Sequence, residues 1–443
     1  MITIFGDSYI ETEEALTQQL QSKTFTVMDA RTGFVLYENA QHELMYPASI
    51  TKIMTALLVL EEIDDLQQEL IFSEHAVMSL PYYAGRLNMM AGDTITVYEA
   101  LYGLMLRSGN DVANALAEHV SGDIGSFVAR MNSRAAELGA VNTHFVNPCG
   151  LPGNGQHTTA YDMALIMQEA INHPAFNALI AAPNFYISPT ETFPEGLTVR
   201  NTNMLIQPES EYHNPSVLGG KTGFTNAAMH TLVSHAQQGD HNLIVSVLYA
   251  PRGATFTDTT YLLDHAFTLP IQTLFEAGNH QWEVPVIQDI DGELTEIGIV
   301  TARGQSDLRL PMIDAISDIR YEVHIPDILM PPIQIGETVG HKSFYLDETF
   351  IGTIELISTQ TVSSRMAITP SIQQATPPYA ITAPQPMPVL LSFLIVVPII
   401  IFALTGIVLI QLHKRRMRHR KLMMRRKRRE MVRMRYAQYQ FSE

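Results

Sequence analysis

The stretch YPASITKIM, residues 46–54, sets Ser49 and Lys52 three residues apart at the start of an apolar helix. Apolar residues recur there at helical spacing: Ile50, Ile53, Met54, Leu57 and Leu58. This pattern predicts a helix over residues 48–60 with one wide apolar stripe facing a core. Residues i and i+3 share a helix face, so the hydroxyl and the amine are expected within hydrogen-bond reach.

A serine hydroxyl is a poor nucleophile until a base takes its proton, and a lysine is a base only while its amine is neutral. Burial and a second nearby cation both lower a lysine pKa. Ser49 and Lys52 can therefore form a nucleophile and its base. Taken alone, the pair also fits a surface lysine on an amphipathic helix.

Two further triplets each occur once downstream, Ser108-Gly109-Asn110 and Lys221-Thr222-Gly223. The first could be only a turn between two helices, and the second only the end of a strand. Together with the Ser-x-x-Lys motif, and in this order, they match a set shared by class A β-lactamases and penicillin-binding proteins.

The chain resembles the D-alanyl-D-alanine carboxypeptidases, the low-molecular-mass penicillin-binding proteins. The likeness covers about residues 24–360 and includes the blocks YGLMLRSGNDVANALAEHVSG, FVNPCGLPG, TTAYDMALI and GGKTGFTNAA. It implies that Ser49 is the acylated nucleophile, that Lys52 is its base, and that Ser108 relays a proton to the leaving D-alanine.

The same resemblance implies the substrate-binding residues. Asn110 would hold the peptide amide of the substrate, and Lys221 would keep Lys52 deprotonated and bind the terminal carboxylate together with Thr222. A side chain at Gly223 would block the substrate backbone from pairing with the strand. The backbone N–H groups of Ser49 and Phe224 would form the oxyanion hole.

Two positions depart from the family pattern. Cys149, the only cysteine, stands where the family usually has histidine, so a contact near the rim of the site is expected to differ. Some members carry an arginine that helps to bind the carboxylate after the strand that follows the Lys-Thr-Gly block, and Arg252 is the nearby candidate. A lone thiol in one chain excludes an intramolecular disulfide and is expected to be a small core residue.

The predicted fold class is α/β (α+β), a β-lactamase/transpeptidase-like domain with an antiparallel sheet flanked by helices and a helical subdomain. A hairpin is expected over residues 24–38 and a closing helix over TDTTYLLDHAFTLP. Between them, a capping box from Thr96 to Glu99 starts one helix, Thr159 caps another, and two β runs, GGKTGFTNAAMHTLVSHA and HNLIVSVLYA, return to the sheet. A small all-β domain and one C-terminal transmembrane helix follow.

The expected boundaries are a catalytic domain at residues 20–275, a β domain at 279–362, a Pro-rich linker at 366–388, a transmembrane helix at 388–412 and a basic cytoplasmic tail at 413–443. The span has 25 residues without a formal charge, enough for a hydrocarbon core of ~30 Å. Basic residues directly after it predict, by the positive-inside rule, a single-pass bacterial membrane protein whose catalytic domain is extracytoplasmic. The first 20 residues show no signal peptide, so the true start is expected upstream, or a segment has been removed.

Charge argues against nucleic-acid binding by the folded part. The net charge is -17, and 13 of the 28 basic residues lie between Lys414 and Arg435, which leaves an acidic body. The expected partners are the peptidoglycan stem peptide, β-lactam inhibitors and the membrane. No cofactor is expected, and no metal, since the histidines lack a tight ligand spacing.

These observations predict a serine-type carboxypeptidase that removes the terminal D-alanine from stem pentapeptides. The rivals are a class A-like β-lactamase, a transpeptidase, and a non-catalytic wall-binding protein. Gly109 stands where the class A triplet has aspartate, and no Glu-x-x-Leu-Asn loop lies between Gly122 and Lys221. Two lysines around one serine have no purpose in a binding module.

Overall fold

The structure of the chain is a computed structural model that describes residues 17–364 except 278–280, 291–292, 312–318 and 347–348. The predicted linker, membrane span and basic tail lie outside the described residues, as do residues 1–16. Among the helices of the described residues, none combines the length and the apolar character needed to cross a membrane.

Strands and helices alternate irregularly along the described chain. The strands are β1 Thr24–Asp29, β2 Val35–Asn39, β3 Glu69–Ile71, β4 Thr94–Thr96, β5 Asn184–Ile187, β6 Leu197–Arg200, β7 Val217–Thr225, β8 Met229–Gln238, β9 His241–Ala250, β10 Ile271–Phe275, β11 Gln281–Ile290, β12 Glu293–Gly304, β13 Leu308–Pro311, β14 Ile319–His324, β15 Thr338–Leu346 and β16 Thr349–Ser358. The α-helices are α1 Lys52–Glu62, α2 Glu74–Met78, α3 Val97–Leu106, α4 Asn110–Ser121, α5 Ile124–Glu137, α6 Ala160–Ala170, α7 Pro174–Ala181 and α8 Ala254–Ala266.

A five-stranded antiparallel sheet in the order β2-β1-β9-β8-β7 is the centre of the larger, N-terminal part of the described chain. The first and last strands of this part meet in the sheet, because β1 pairs with β9 and Phe25 lies opposite Val247. Alternate side chains enter two cores: Phe25 and Val27 pack with Leu262 of α8, whereas Met28 packs with the remaining helices. The predicted antiparallel sheet flanked by helices is confirmed.

Two predictions about this part of the chain, one strand run and one helix start, were wrong in their boundaries. The run GGKTGFTNAAMHTLVSHA forms two strands, β7 and β8, because a tight turn at residues 226–228 reverses the chain, closed by the Ala228 N–H, which donates to Thr225 Oγ1 at 3.0 Å. The helix expected from residue 48 begins at Lys52, after a 3-10 turn over Ala48–Thr51.

The predicted apolar stripe of this helix does face a core, but the other faces of the helix are buried too. Every residue from Lys52 to Val59 is buried, because α1 lies at the centre of the helical part and contacts α3, α4, α5, α6 and α7. A helix that is enclosed on all sides buries polar groups as well as apolar ones, and these need partners. The lysine of the opening motif is one of them.

Local capping follows the sequence closely. Glu99 N–H donates to Thr96 Oγ1 at 3.1 Å and Thr96 N–H donates to Glu99 Oε2 at 2.9 Å, which is the predicted capping box at the start of α3. Thr159 caps α6 through the N–H of Asp162, also as predicted.

A second five-stranded antiparallel sheet, in the order β11-β12-β16-β15-β14, forms the smaller, C-terminal part of the described chain, and β10 pairs with β13 beside it. The turn between β1 and β2 contacts this part: Arg31 Nη2 donates to the Arg309 carbonyl at 3.1 Å, and Phe34 packs against its core. Arg309 also pairs with Asp240, with 2.9 Å between Nη1 and Oδ2. The central sheet thus contacts the C-terminal part directly.

Lys342 on β15 is buried among aromatic rings. Its Nζ lies 3.6 Å from the ring centroid of Tyr321, 4.5 Å from that of Phe275 and 5.5 Å from that of Trp282. Burial lowers the pKa of Lys342. The aromatic faces supply the favourable electrostatic contact that the ammonium loses with water.

Candidate active site

Ser49 lies on the 3-10 turn that precedes α1, in a strained stretch of backbone. Its neighbour Ala48 has a φ of 51°, in the left-handed region that non-glycine residues rarely adopt. Thr231 on β8 holds the turn through its hydroxyl, which donates to the Pro47 carbonyl at 3.0 Å. The central sheet therefore fixes the backbone on which Ser49 stands.

Lys52 lies within reach of Ser49, as the spacing predicted. Its Nζ is 3.1 Å from Ser49 Oγ, 2.7 Å from Asn110 Oδ1 and 2.7 Å from the Cys149 carbonyl oxygen. The amide oxygen and the carbonyl can only accept, whereas a hydroxyl can also donate. A neutral amine would donate both of its hydrogens to these two oxygens and turn its lone pair toward the serine hydroxyl.

The protonation of Lys52 favours this arrangement. Its side chain is fully buried, and burial lowers the pKa of Lys52 from 10.5 to about 8, while the Cys149 thiol and the carboxylate of Asp111 partly oppose the shift. Because desolvation penalises the charged form, the neutral amine becomes accessible near neutral pH.

The triplet Ser108-Gly109-Asn110 connects α3 to α4. Ser108 has a φ of 63°, and its Oγ is buried without a hydrogen-bond partner among the described residues. A strained residue with an unused buried hydroxyl is typical of a functional position. Asn110 begins α4 and is 5% exposed, with its Oδ1 engaged by Lys52.

The triplet Lys221-Thr222-Gly223 lies in β7, at the edge of the central sheet. Lys221 is buried and its Nζ donates to the Thr222 carbonyl at 3.0 Å. Burial, and then the charge of Lys52, hold the pKa of Lys221 well below its ordinary value. The Thr222 hydroxyl is 2.6 Å from that of Thr202.

Burial thus comes before charge repulsion as the cause of a low lysine pKa in this site. The family resemblance implied that Lys221 keeps Lys52 deprotonated. The structure places desolvation first for Lys52, and the repulsion between the two amines lowers the pKa of Lys221. Two buried ammonium groups in one site are unfavourable, so at most one carries its proton easily.

Gly223 is required by packing inside the protein, in addition to the access for substrate that the sequence suggested. A Cβ there would lie 2.4 Å from Thr231 Oγ1 and 2.9 Å from the backbone nitrogen of Ser49. The strand therefore passes directly against the turn that carries Ser49. Phe224 follows, half exposed, with its ring centroid 4.5 Å from that of His230.

The two departures from the family pattern also have a place in the structure. Arg252 is exposed just after β9, and its charge lowers the pKa of His230 after burial does. Cys149 is the small core residue that the sequence predicted: it is 2% exposed, and burial raises the pKa of its thiol to about 11. Its contact with the site is made by its backbone carbonyl, which accepts from Lys52 Nζ.

Sequence reasoning missed two residues that shape the site. Asn147 Oδ1 accepts from the N–H groups of Cys149, Gly150 and Leu151 at 3.1, 2.7 and 3.1 Å, which turns the Cys149 carbonyl toward Lys52. Its position inside the NPCGLPG block was the available signal.

Asp111 is the other missed residue, although it directly follows the Ser-Gly-Asn triplet. Its Oδ1 accepts from Leu87 and Val112 N–H at 2.9 and 3.0 Å, and its Oδ2 from Asn88 and Met89 N–H at 2.9 and 3.2 Å. The carboxylate is fully buried. It therefore ties the loop before β4 to the start of α4.

Asp111→Ala is expected to lower the free energy of unfolding by about 3 kcal/mol, because four N–H groups, three of them in buried bonds, lose a charged acceptor. Urea unfolding followed by circular dichroism measures this loss. Asp123→Ala is the control, since Asp123 is an exposed N-cap whose partners, Ser126 and Gly125, lie within its own helix turn, and its loss should cost much less. Equal losses in the two variants would contradict the anchoring role of Asp111.

These groups together can perform acyl transfer: a hydroxyl on a fixed turn, a buried amine that can take its proton, and a second amine on the neighbouring strand. In the part of the chain that the structure describes, no group of three or more His, Cys, Asp or Glu side chains could hold a metal ion.

Comparison with known proteins gives one consistent result. The sequence profile of the family described as D-alanyl-D-alanine carboxypeptidase matches residues 10–252. The D-alanyl-D-alanine carboxypeptidase DacF of Bacillus subtilis is 30% identical over 356 residues, which is 77% of this chain and 86% of that protein. DacB2 of Mycobacterium tuberculosis, with the same activity in its name, is 35% identical over 256 residues, 56% of this chain and 83% of that protein. The crystal structure of the carboxypeptidase DacD from Francisella tularensis superposes with a TM-score of 0.56 at 25% identity, covering 82% of this chain and 97% of that one.

Proposed function

The chain belongs to the D-alanyl-D-alanine carboxypeptidase family, and on that premise we propose that it removes the terminal D-alanine from peptidoglycan stem pentapeptides through an acyl-enzyme on Ser49. The observation that carries the proposal is the Lys52 amine, 3.1 Å from Ser49 Oγ, with its two other contacts to oxygens that only accept.

Acylation begins when the Ser49 proton passes to the neutral Lys52 amine and Oγ attacks the carbonyl carbon between the two D-alanines. The backbone N–H groups of Ser49 and Phe224 bind the oxyanion, each worth about 3 kcal/mol in the transition state. The C–N bond then breaks while Ser108 relays a proton to the leaving D-alanine. Water hydrolyses the ester and restores the Ser49 hydroxyl.

Substrate is oriented by both triplets. Lys221 and Thr222 bind the terminal carboxylate, and Asn110 binds the amide on the acyl side, where its Nδ2 is the group left to donate since Oδ1 already accepts from Lys52. Penicillins carry a carboxylate and an acylating carbonyl in the same relation, so the same contacts lead them to Ser49.

The test is to incubate the purified protein with a fluorescent penicillin and, separately, with a stem pentapeptide that ends in D-Ala-D-Ala. Covalent label and steady D-alanine release, with release blocked by prior treatment with unlabelled penicillin, would support a carboxypeptidase. Label without release would favour a transpeptidase, and rapid loss of label with antibiotic hydrolysis a β-lactamase. No label at all would favour a wall-binding protein and defeat the proposal.

The rate of acylation by penicillin is expected to rise with pH and to level off above about pH 8, because the pKa of Lys52 is lowered to about 8 and only the neutral amine accepts the Ser49 proton. Below that value each pH unit should cost about tenfold in rate. Stopped-flow measurement of the second-order rate constant across this range gives the profile. An inflection near the ordinary lysine pKa of about 10.4 would contradict the assignment.

We further propose that residues 388–412 anchor the protein in the bacterial membrane, with residues 413–443 in the cytoplasm and the catalytic domain, residues 20–275, outside. The β domain, residues 279–362, would act as a stalk that lifts the site toward the wall. Deletion of residues 279–362 is then expected to spare the hydrolysis of a soluble peptide and to reduce the hydrolysis of wall-bound substrate. If the deletion variant hydrolysed wall-bound substrate at the wild-type rate, the proposed role of residues 279–362 as a stalk would be wrong.

A further inference from the structure

Two adjacent tyrosines stand exposed on the segment that we call the tyrosine loop, residues 80–89. Tyr82 is 92% exposed and Tyr83 is 70% exposed, and the two rings meet edge to face with centroids 5.5 Å apart. Large aromatic rings held in water carry an energetic cost that a monomeric protein normally avoids. The exposed pair of rings therefore indicates a binding surface for a ligand of the protein.

The tyrosine loop is held in shape by its own polar groups. Arg86 turns back on the loop, with Nη2 donating to the carbonyls of Leu80 and Pro81 at 2.8 and 3.0 Å and Nη1 donating to the carbonyl of Tyr82 at 3.2 Å. At the other end, Asp111 accepts the N–H groups of residues 87–89. The backbone that carries the two tyrosine rings is thus already ordered, so binding of a ligand costs little conformational entropy in this loop.

The tyrosine loop is also joined to the proposed substrate site. Asn110 N–H donates to the Gly85 carbonyl at 3.1 Å. A Cβ on Gly109 would lie 3.4 Å from that of Leu87, so the loop packs directly on the Ser108-Gly109-Asn110 triplet. The tyrosine loop is therefore the direct neighbour of Asn110, the residue that the proposed function places on the acyl-side amide of the substrate.

We propose that the tyrosine loop binds the part of the stem peptide that precedes D-Ala-D-Ala, an inference that rests on the proposed function. In that function the substrate runs from its carboxylate at Lys221 and Thr222, past Ser49, to its acyl-side amide at Asn110. The preceding stem residues continue onto Tyr82 and Tyr83. Flat apolar faces with hydroxyl groups at their edges suit peptide planes and extended aliphatic side chains.

Glycan is the other part of the natural substrate that aromatic rings could bind. It is attached at the far end of the stem, whereas the loop is bonded to the residue that holds the amide nearest the scissile carbonyl. The order of groups along the substrate therefore favours the stem peptide over the sugar.

The test compares two substrates, a free stem pentapeptide and the short N-acetyl-D-Ala-D-Ala, in the full-length double variant Tyr82→Ala/Tyr83→Ala. We expect KM for the pentapeptide to rise about tenfold, as the loss of two aromatic contacts implies, with kcat nearly unchanged. KM for the short substrate and the rate of penicillin labelling should stay at the wild-type level.

Two controls separate recognition from folding. Tyr82→Phe/Tyr83→Phe keeps both rings and should keep the wild-type KM within about twofold. Met78→Ala removes another apolar side chain, 71% exposed on the neighbouring α2, and should change neither KM. Equal loss on both substrates, or loss that appears only when the peptide carries its disaccharide, would overturn the proposal.

A binding measurement keeps this inference distinct from the proposed function. Calorimetry with Ser49→Ala protein and the pentapeptide reports affinity without turnover, and the double alanine change in that background should weaken it about tenfold. If the wild-type protein releases no D-alanine, the proposed function fails, while this titration still decides the tyrosine loop. Unchanged affinity would overturn the loop proposal even in an active enzyme.

Discussion

Lys52→Met is expected to lower the rate of penicillin acylation by about 10³-fold, toward the complete loss expected of Ser49→Ala, because general-base catalysis of this kind is worth about 10² to 10⁴. The change keeps the length of the side chain and removes only the group that takes the Ser49 proton. Gel fluorescence after timed exposure to a labelled penicillin measures the rate of acylation. D-alanine release from a pentapeptide should fall by the same factor.

The matched control is Lys342→Met, which makes the same change at the other end of the described chain. Lys342 is also a buried lysine with a lowered pKa, but aromatic rings of the C-terminal part enclose its Nζ, away from Ser49 and Lys52. Acylation should therefore stay at the wild-type rate. If Lys52→Met kept acylation within about tenfold of wild type, the assigned base would be wrong.

Gly150→Ala is expected to lower the free energy of unfolding by about 4 kcal/mol and to abolish acylation. A Cβ at this position would lie 1.7 Å from the Ala48 carbonyl oxygen and 2.4 Å from its carbon, both backbone atoms that cannot turn away. The loop that carries Gly150 would have to move away from the turn that carries Ser49. The hydrogen bond from Lys52 Nζ to the Cys149 carbonyl would then be lost. The left-handed φ of 84° adds about 1 kcal/mol of strain.

Gly122→Ala separates the strain from the clash. Gly122 has a similar φ of 81°, but a Cβ there would have no atom within 4 Å. Its cost should be about 1 kcal/mol, with full acylation. Urea unfolding curves of the two variants give the difference, and equal costs would mean that Gly150 is needed only for its backbone angle.

Local signals in the sequence predicted the local parts of this fold. The capping box of Thr96 and Glu99 needs only four consecutive residues and is present with both bonds. The hairpin of residues 24–38 likewise follows from alternation around a turn. The pairing of β1 with β9 joins residues more than 200 positions apart, and no periodicity within either segment specifies that partner.

The site was predictable in residue type and less so in geometry. Motif spacing placed Lys52 beside Ser49, and the structure has them 3.1 Å apart. The spacing of apolar residues could not show that α1 is enclosed on all faces. In the sequence, Thr55 and Ala56 fall outside the apolar stripe, on the side that a surface helix turns to solvent, yet both are buried. Nor could it show that Asn147 and Asp111 hold the surrounding loops, because their bonds depend on how distant backbone segments approach.

The buried Lys52 amine links the conformational equilibrium of the chain to proton concentration. An unfolded chain would hold this lysine protonated up to its ordinary pKa, whereas the folded chain releases the proton at about 8. Between these two pKa values, unfolding of the chain takes up a proton at Lys52. A rise in pH therefore disfavours unfolding and stabilises the fold. This one residue penalises the native state by about 3 kcal/mol below its folded pKa, a penalty that disappears as pH rises to the unfolded value. The enzyme is thus expected to work at a pH where the amine proposed as its catalytic base still destabilises the fold.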